Sequence, residues 1–390
     1  MAHSEIRSLT GLRGAAAVYV MVYHFAAIEP DAIVAPLSGW MFLHHGYLSL
    51  DLFFVLSGFV IALTYHDAFT NRARFGAHGQ CGVFAVFLGH RLARLYPLYI
   101  ILTLLSAAIR LAGVGKPVAD FGSAFVANVL MMQAWISCDS LVGTAWSISS
   151  EWEAYLALPV LLVVCVSGAR WLAGLAGALA ASVLVLLATT TLFGAPPGDS
   201  AGPLDLYLTT LTTSLRCLSE FCLGLLTYRL YKALSAAHLR KLAWTSPVVL
   251  AAMVGTCLWP DLDLVWVALV PVLILGLAAD QGVVAGVLGS KPVHQLGVLS
   301  YAIYLLAPNM TKFLTIVGSP ALEGRVPFGH AIVFTLASAS IVMMAYFAHR
   351  WIERPGRQWL QHRLNRFEWT RDTMPRAAPR NPTTGALTRG

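Results

Sequence analysis

Charge is what this sequence has least of. Of its 390 residues only 12% are Asp, Glu, Lys or Arg, against roughly a quarter in ordinary soluble domains. Hydrophobic residues make up 57%, and no long polar block interrupts them before the C-terminal tail. That pattern excludes a soluble chain of two or three domains and indicates one integral membrane domain. The six cysteines (Cys81, Cys138, Cys165, Cys217, Cys222, Cys257) are scattered without a CxxC pair, so neither a disulfide framework nor a zinc site is expected, and no metal is called for. The N-terminus lacks a small-residue cleavage site behind a short apolar core, so the first apolar run is expected to remain as an anchor. No convincing internal repeat is present, which argues against a symmetric transporter fold. The formal net charge is +7, and the tail after His349 supplies most of it, with nine Arg against three acidic residues. Arginines beside a last span mark a cytoplasmic face and attract anionic lipid, so membrane lipid is the expected partner and nucleic acid is not.

What is present is a series of apolar runs of about 20 residues, the length that crosses the hydrocarbon layer. They lie near 9–28, 47–65, 86–112, 150–167, 170–193, 206–229, 246–260, 264–280, 295–316 and 328–349. An eleventh, 121–135, is short and contains Asn128 and Gln133. Short cytoplasmic loops are enriched in Lys and Arg. Arg7 therefore places the N-terminus inside, as Arg72 and Arg74 do the loop 67–90, and Lys232, Arg240 and Lys241 the loop 230–245. An even number of crossings must separate the last two loops, and five candidates lie between them. The shortest and most polar run, 121–135, is accordingly expected as a re-entrant or outer-face helix buried against protein. The expected fold is an all-α integral membrane protein of about ten transmembrane helices with one extra short helix and both termini cytoplasmic.

Several of these helices carry ionisable residues where lipid would penalise them by about 3 kcal/mol. Arg13 and His24 are eleven residues apart, on one helix face and roughly 16 Å apart along the axis. Either Arg13 snorkels and His24 is a hydrogen-bonded interface residue, or both line a cavity. Asp51 opens the second span, as a helix-start charge or a functional carboxylate, and Ser57-Gly58 inside that span permits a kink and close helix approach. Arg91 and Arg94 share one face at the cytoplasmic edge, as anchors or as a phosphate clamp. Ser150 and Glu153 have capping-box spacing, whereas Glu151 is free to strengthen the helix start or to orient His24 as a base. Arg216 and Glu220, one turn apart, read as a mutually neutralising pair. His44 and His45 read as a solvated interface pair.

The segments "LTGLRGAAAVYVMVYHF", "LDLFFVLSGFVI", "HRLARLYPLY", "AWSISSEWEAY", "LGVLSYAIYLL" and "WIERP" occur in the order found in the membrane acyltransferase-3 family. The chain resembles that family over residues 7–355, leaving 356–390 as a basic, disordered cytoplasmic tail. The resemblance implies acyl transfer from a cytoplasmic acyl-CoA, acetyl-CoA first among them, to a hydroxyl of a sugar or other acceptor. Arg13 and His24 match its Arg-and-His pair, Arg91 and Arg94 its RxxR motif, and Glu151 the glutamate of WSLSxE. Two departures stand out: Ala307-Pro308-Asn309 replaces a histidine after SYxxYLL, and Thr10 replaces an Asp before GLRG.

On this reading Arg13, Arg91 and Arg94 hold the donor, and His24, Glu151 and Asp51 form the catalytic set. Asn309 or a serine of WSISSE supplies the oxyanion donor. The leading acceptor is a surface polysaccharide or exported glycan at the inner cell membrane, with polysaccharide-assembly proteins as candidate partners. A small secreted metabolite such as a macrolide or glycolipid is the alternative. Competing classes are a proton-coupled transporter or flippase using His24, Asp51 and Glu151 as a relay, and a membrane scaffold.

Overall fold

The computed structural model describes residues 5–28, 41–70, 79–113, 120–189, 204, 211–322 and 329–364. The expected disorder of the basic tail concerns residues that lie mostly outside this range.

The described chain is all α, with no strand among the described residues. In order the helices are α1 (Arg7–Ile28), the single turn α2 (Met41–His44), α3 (Ser49–Thr70), α4 (Gly79–Leu111), α5 (Phe121–Val129), α6 (Trp146–Leu161) and α7 (Arg170–Thr189). They continue as α8 (Leu211–Ala233), α9 (Ala236–Thr256), α10 (Asp263–Ala278), α11 (Gly282–Leu288), α12 (Lys291–Leu322), α13 (Gly329–Ala348) and α14 (Arg354–Leu364). Wider π-type turns extend α6 through Leu162–Ser167 and join α13 to α14 through His349–Glu353.

Each of the ten apolar runs read from the sequence carries a helix. Five helical stretches are long and apolar enough to cross a membrane: Gly46–Thr70, Cys81–Leu111, Trp146–Ser167, Arg170–Thr189 and Ile332–Leu364. The pair α10 and α11, bent by 86°, makes a sixth where the two count as one broken span. Helices such as α1 and α8 fall outside this set because they carry Arg13, His24, Arg216 and Glu220 in their middles. A helix enclosed by other helices does not need a lipid-compatible surface all round. The outward-facing side chains are apolar where lipid would meet them, including Leu104 and Leu105 of α4, Leu175 and Leu179 of α7 and Val248 of α9. Trp351 and Trp359 are exposed near the start and middle of α14, the place an interfacial aromatic belt takes.

Close backbone approach sets the helix order. Helix α1 packs along α12, and α3 along α8. A β-carbon on Gly58 would overlap the Phe221 carbonyl, and one on Gly224 the Val55 carbonyl, so these two glycines let α3 and α8 touch backbone to backbone. The same holds for Gly14 and Gly297 between α1 and α12.

The short run 121–135 carries one short helix. Helix α5 has nine residues, about 13 Å at 1.5 Å per residue, and the chain then runs in turns to Trp146. The two amide side chains of the run both donate inside protein, while the Gln133 Oε1 is buried without a partner. The Asn128 amide donates to the Ala124 and Asp139 carbonyls (both 2.8 Å) and accepts from the Leu141 N–H (2.9 Å), while Gln133 donates to the Ala145 carbonyl (2.9 Å).

Candidate active site

Helices α1, α3, α4, α6 and α12 enclose a cavity of about 110 Å³ lined by Arg13, Arg91, Arg94, Glu151, Ser57 and the tyrosines Tyr155, Tyr301 and Tyr304, with apolar residues of α3 closing it. Each polar side chain arrives by its local spacing. Arg91 and Arg94, three residues apart, share a face of α4. Glu151 and Tyr155, four apart, share a face of α6. Ser57 reaches the cavity from α3, beside the glycine that seats that helix.

The contacts fix these groups. Arg13 donates to the Ser300 hydroxyl (3.3 Å), and Ser57 donates to Glu151 Oε1 (2.6 Å) with the Tyr155 hydroxyl 3.5 Å away. The Arg91 guanidinium lies over the rings of Tyr65 and Phe87 at 5.6 and 5.9 Å from their centres, and its Nε has no hydrogen-bond partner. Tyr301 donates to the Leu95 carbonyl (2.6 Å), tying α12 to α4. Arg94 is repelled by Arg13 and Arg91 and attracted by Glu151. Three guanidiniums thus face one carboxylate. In a low-dielectric interior such a surplus is costly unless an anion completes it, so the arrangement is suited to phosphate, carboxylate or a developing oxyanion.

A second cavity of about 450 Å³ shares Arg13, Arg94 and Tyr301 with the first and widens toward α14 and the N-terminus. Its wall adds Glu5, Thr10, His349, Glu353, Arg354 and Arg357. The two form a narrow chamber behind a wider vestibule, with arginines at the junction.

The structure brings together four of the residues singled out from sequence: Arg13, Arg91, Arg94 and Glu151. His24 lies elsewhere. It is farther along α1, tilted against Tyr23 with ring centres 5.3 Å apart, and outside the lining of both cavities. No hydrogen bond joins it to Glu151, whose described partner is Ser57.

Asp51 is placed in a different cluster. Its two oxygens accept from Nε and a terminal nitrogen of Arg216, which also donates to the Leu204 carbonyl (2.7 Å) and lies 3.4 Å from Glu220. All three side chains are at most 1% exposed. The expected Arg216–Glu220 pair is therefore a triad in which Asp51 is the closer partner, because two oxygens of one carboxylate match the guanidinium fork.

Two other readings change. Helix α6 begins at Trp146, four residues before Ser150, and Ser150 bonds back to the Trp146 carbonyl, so no capping box with Glu153 forms. His45 is buried rather than solvated, 3.9 Å from Asp263, which in turn accepts from Tyr47 (2.9 Å). The side chain of Asn309 lies outside the described residues. Of the WSISSE serines, Ser147 lines the narrow chamber and shares a 2.8 Å hydrogen bond with Tyr304.

Sequence reasoning passed over Ser57 as a site residue, together with Tyr155, Ser300, Tyr301 and the α14 arginines. Only the four-residue spacing of Glu151 and Tyr155 was a usable signal for any of them.

Comparisons with known proteins agree on one family. The chain belongs to the acyltransferase-3 family, matched over residues 6–349 as an acyltransferase domain, and is an acyl-transferring enzyme. It is 28% identical over 368 residues to Acyltransferase MdmB of Streptomyces mycarofaciens, covering 88% of this chain and 87% of that one. It is 30% identical over 178 residues to Protein 2 in picA locus of Rhizobium radiobacter, covering 42% of this chain and 82% of that one. No solved structure matches.

Proposed function

We propose that the protein is an O-acyltransferase of the inner cell membrane that moves a short acyl group, acetyl first among candidates, from cytoplasmic acyl-CoA to a hydroxyl of an exported glycan. In this reading ten helices cross the membrane and both termini are cytoplasmic, so the vestibule opens to the cytoplasm. One observation carries it: Arg13, Arg91 and Arg94 outnumber their single carboxylate around a cavity that shares Arg13, Arg94 and Tyr301 with that vestibule. Donor phosphates are the anions that answer this surplus, through charge-assisted and forked hydrogen bonds. The narrow chamber, at about 110 Å³, suits a short acyl group better than a long one.

His24 stands about 16 Å beyond Arg13 along α1, by its eleven-residue spacing, and its role requires a donor arm anchored at the arginines to extend past the chamber to it. It takes the proton of the acceptor hydroxyl as the oxygen attacks the thioester carbonyl; the C–S bond then breaks, and the imidazolium returns that proton to the departing thiolate. Glu151 acts on the donor side. It fixes the Ser57 hydroxyl and offsets part of the arginine charge, which keeps the three guanidiniums together before the donor arrives.

The test compares base-labile acetyl on surface glycan in a deletion strain carrying either the intact gene or His24→Ala at equal membrane expression. General-base loss predicts a fall of about 10²- to 10⁴-fold in transfer. Equal acetyl in the two strains sinks the role of His24. Glycan without acetyl in the intact strain moves the acceptor to secreted small molecules.

A further inference from the structure

We propose that Arg354 and Arg357 of α14 form a second phosphate site in the vestibule, one that selects donors bearing a 3′-phosphate on the ribose of their nucleotide end. This inference rests on the reading of acyl-CoA as donor and adds to it a determinant of specificity outside the arginine motif of α4.

The first ground is the register of α14. Arg354, Arg357, Gln358 and Gln361 all line the vestibule, and their spacing is that of one helical face. Trp359, on another face, is exposed and stacks against the Arg363 guanidinium at 5.3 Å. Helix α14 therefore presents a polar, doubly cationic face to the vestibule, with both arginines open to solvent.

The second ground is charge. The two carboxylates of the vestibule face other partners: Glu5 accepts from Thr10 (2.8 Å) and lies 3.0 Å from His294, and Glu353 Oε2 lies 2.9 Å from His349 while its Oε1 has no hydrogen-bond partner. Among the described residues no carboxylate pairs with Arg354 or Arg357. The third ground is seating. Gly356 packs so closely on Pro97 that a β-carbon there would stand 2.7 Å from the proline ring, and Leu364 fills the space beside Gly89. This holds the helix against α4, three residues beyond Arg94, so the outer arginine pair keeps a set position relative to the inner cluster.

Volume assigns the two phosphate sites. The vestibule, about 450 Å³, has the room for a nucleotide, and the chamber, about 110 Å³, does not. A donor entering acyl end first puts its diphosphate at the shared arginines Arg13 and Arg94. Its remaining phosphate, a dianionic monoester near neutral pH, then falls to the α14 pair.

The experiment titrates CoA and 3′-dephospho-CoA into the full-length protein in nanodiscs, wild type against Arg354→Gln/Arg357→Gln. Charge-assisted hydrogen bonds to one phosphate predict that wild type binds CoA about tenfold or more tighter than the dephospho form. The double variant is expected to lose that preference by weakening CoA alone, and Arg354→Lys/Arg357→Lys to keep part of it. Equal wild-type affinities, or an equal loss for both ligands in the variant, overturn the proposal while leaving the donor reading intact. A preference that survives in the Gln variant assigns these arginines to lipid headgroups instead and also overturns it. Failure of wild type to bind either ligand removes the donor reading itself and this inference with it.

Discussion

Two groups of charges lie inside this protein, and they are built in opposite ways. At the start of α3, Asp51, Arg216 and Glu220 form a closed triad in which the guanidinium is fully bonded to carboxylates and to a backbone carbonyl. Around the chamber, Arg13, Arg91 and Arg94 share one carboxylate, border empty space, and leave the Nε of Arg91 without a partner. Both lie inside the helix bundle, the triad fully buried and the chamber charges half-buried. What separates them is the sign balance and the access: the triad has no surplus cation to offer a ligand, while the chamber has two. Here a surplus of cations marks the candidate site, and a cation fully taken up by carboxylates marks a structural tie.

Breaking the triad should give the largest effect. Arg216→Met leaves two carboxylates buried and uncompensated, with an expected loss of about 3–5 kcal/mol in stability, read as thermal unfolding of the detergent-solubilised protein. Replacing all three residues by apolar ones of similar volume should restore most of that stability and preserve acyl transfer. Restored folding without transfer would put Asp51 back among the catalytic residues. The chamber should answer in the other way. Arg91→Gln/Arg94→Gln is expected to weaken donor binding roughly 10- to 100-fold, the worth of one or two lost charged hydrogen bonds, with thermal stability unchanged or raised because repulsion is relieved. A large drop in stability together with binding would erase the contrast between the clusters. A smaller effect separates positioning from charge: Glu151→Gln keeps an acceptor for Ser57 but adds one more uncompensated positive charge, so donor affinity should rise slightly while unfolding temperature falls. Smallest is Asn128→Ala in α5, which removes buried amide bonds far from both clusters. It should cost about 1–3 kcal/mol and leave the donor dissociation constant where it was.

Much of the fold was legible because apolar runs and loop charges are local signals. Ten runs become ten helices, and the polar run 121–135 carries one short helix, with Asn128 and Gln133 donating to protein partners that lipid cannot give. In the site, Arg91 with Arg94 was readable as a face since helical spacing alone puts them there. The expected pairing of His24 with Glu151 does not form, because helix depth fixes height and says nothing about which way a neighbouring helix turns its face.

By itself, then, the sequence determined that this is a helical membrane protein of the acyltransferase-3 family, and which side chains share each helix face, since both follow from composition, motif order and the 3.6-residue turn. Tertiary structure alone decided the partners. It joined Asp51 to Arg216 across 165 residues and Ser57 to Glu151 across 94, and it set one face of α14 along the vestibule. Such contacts depend on how closely helices approach at Gly58, Gly224, Gly14 and Gly297, and that distance is a property of two packed surfaces rather than of either segment.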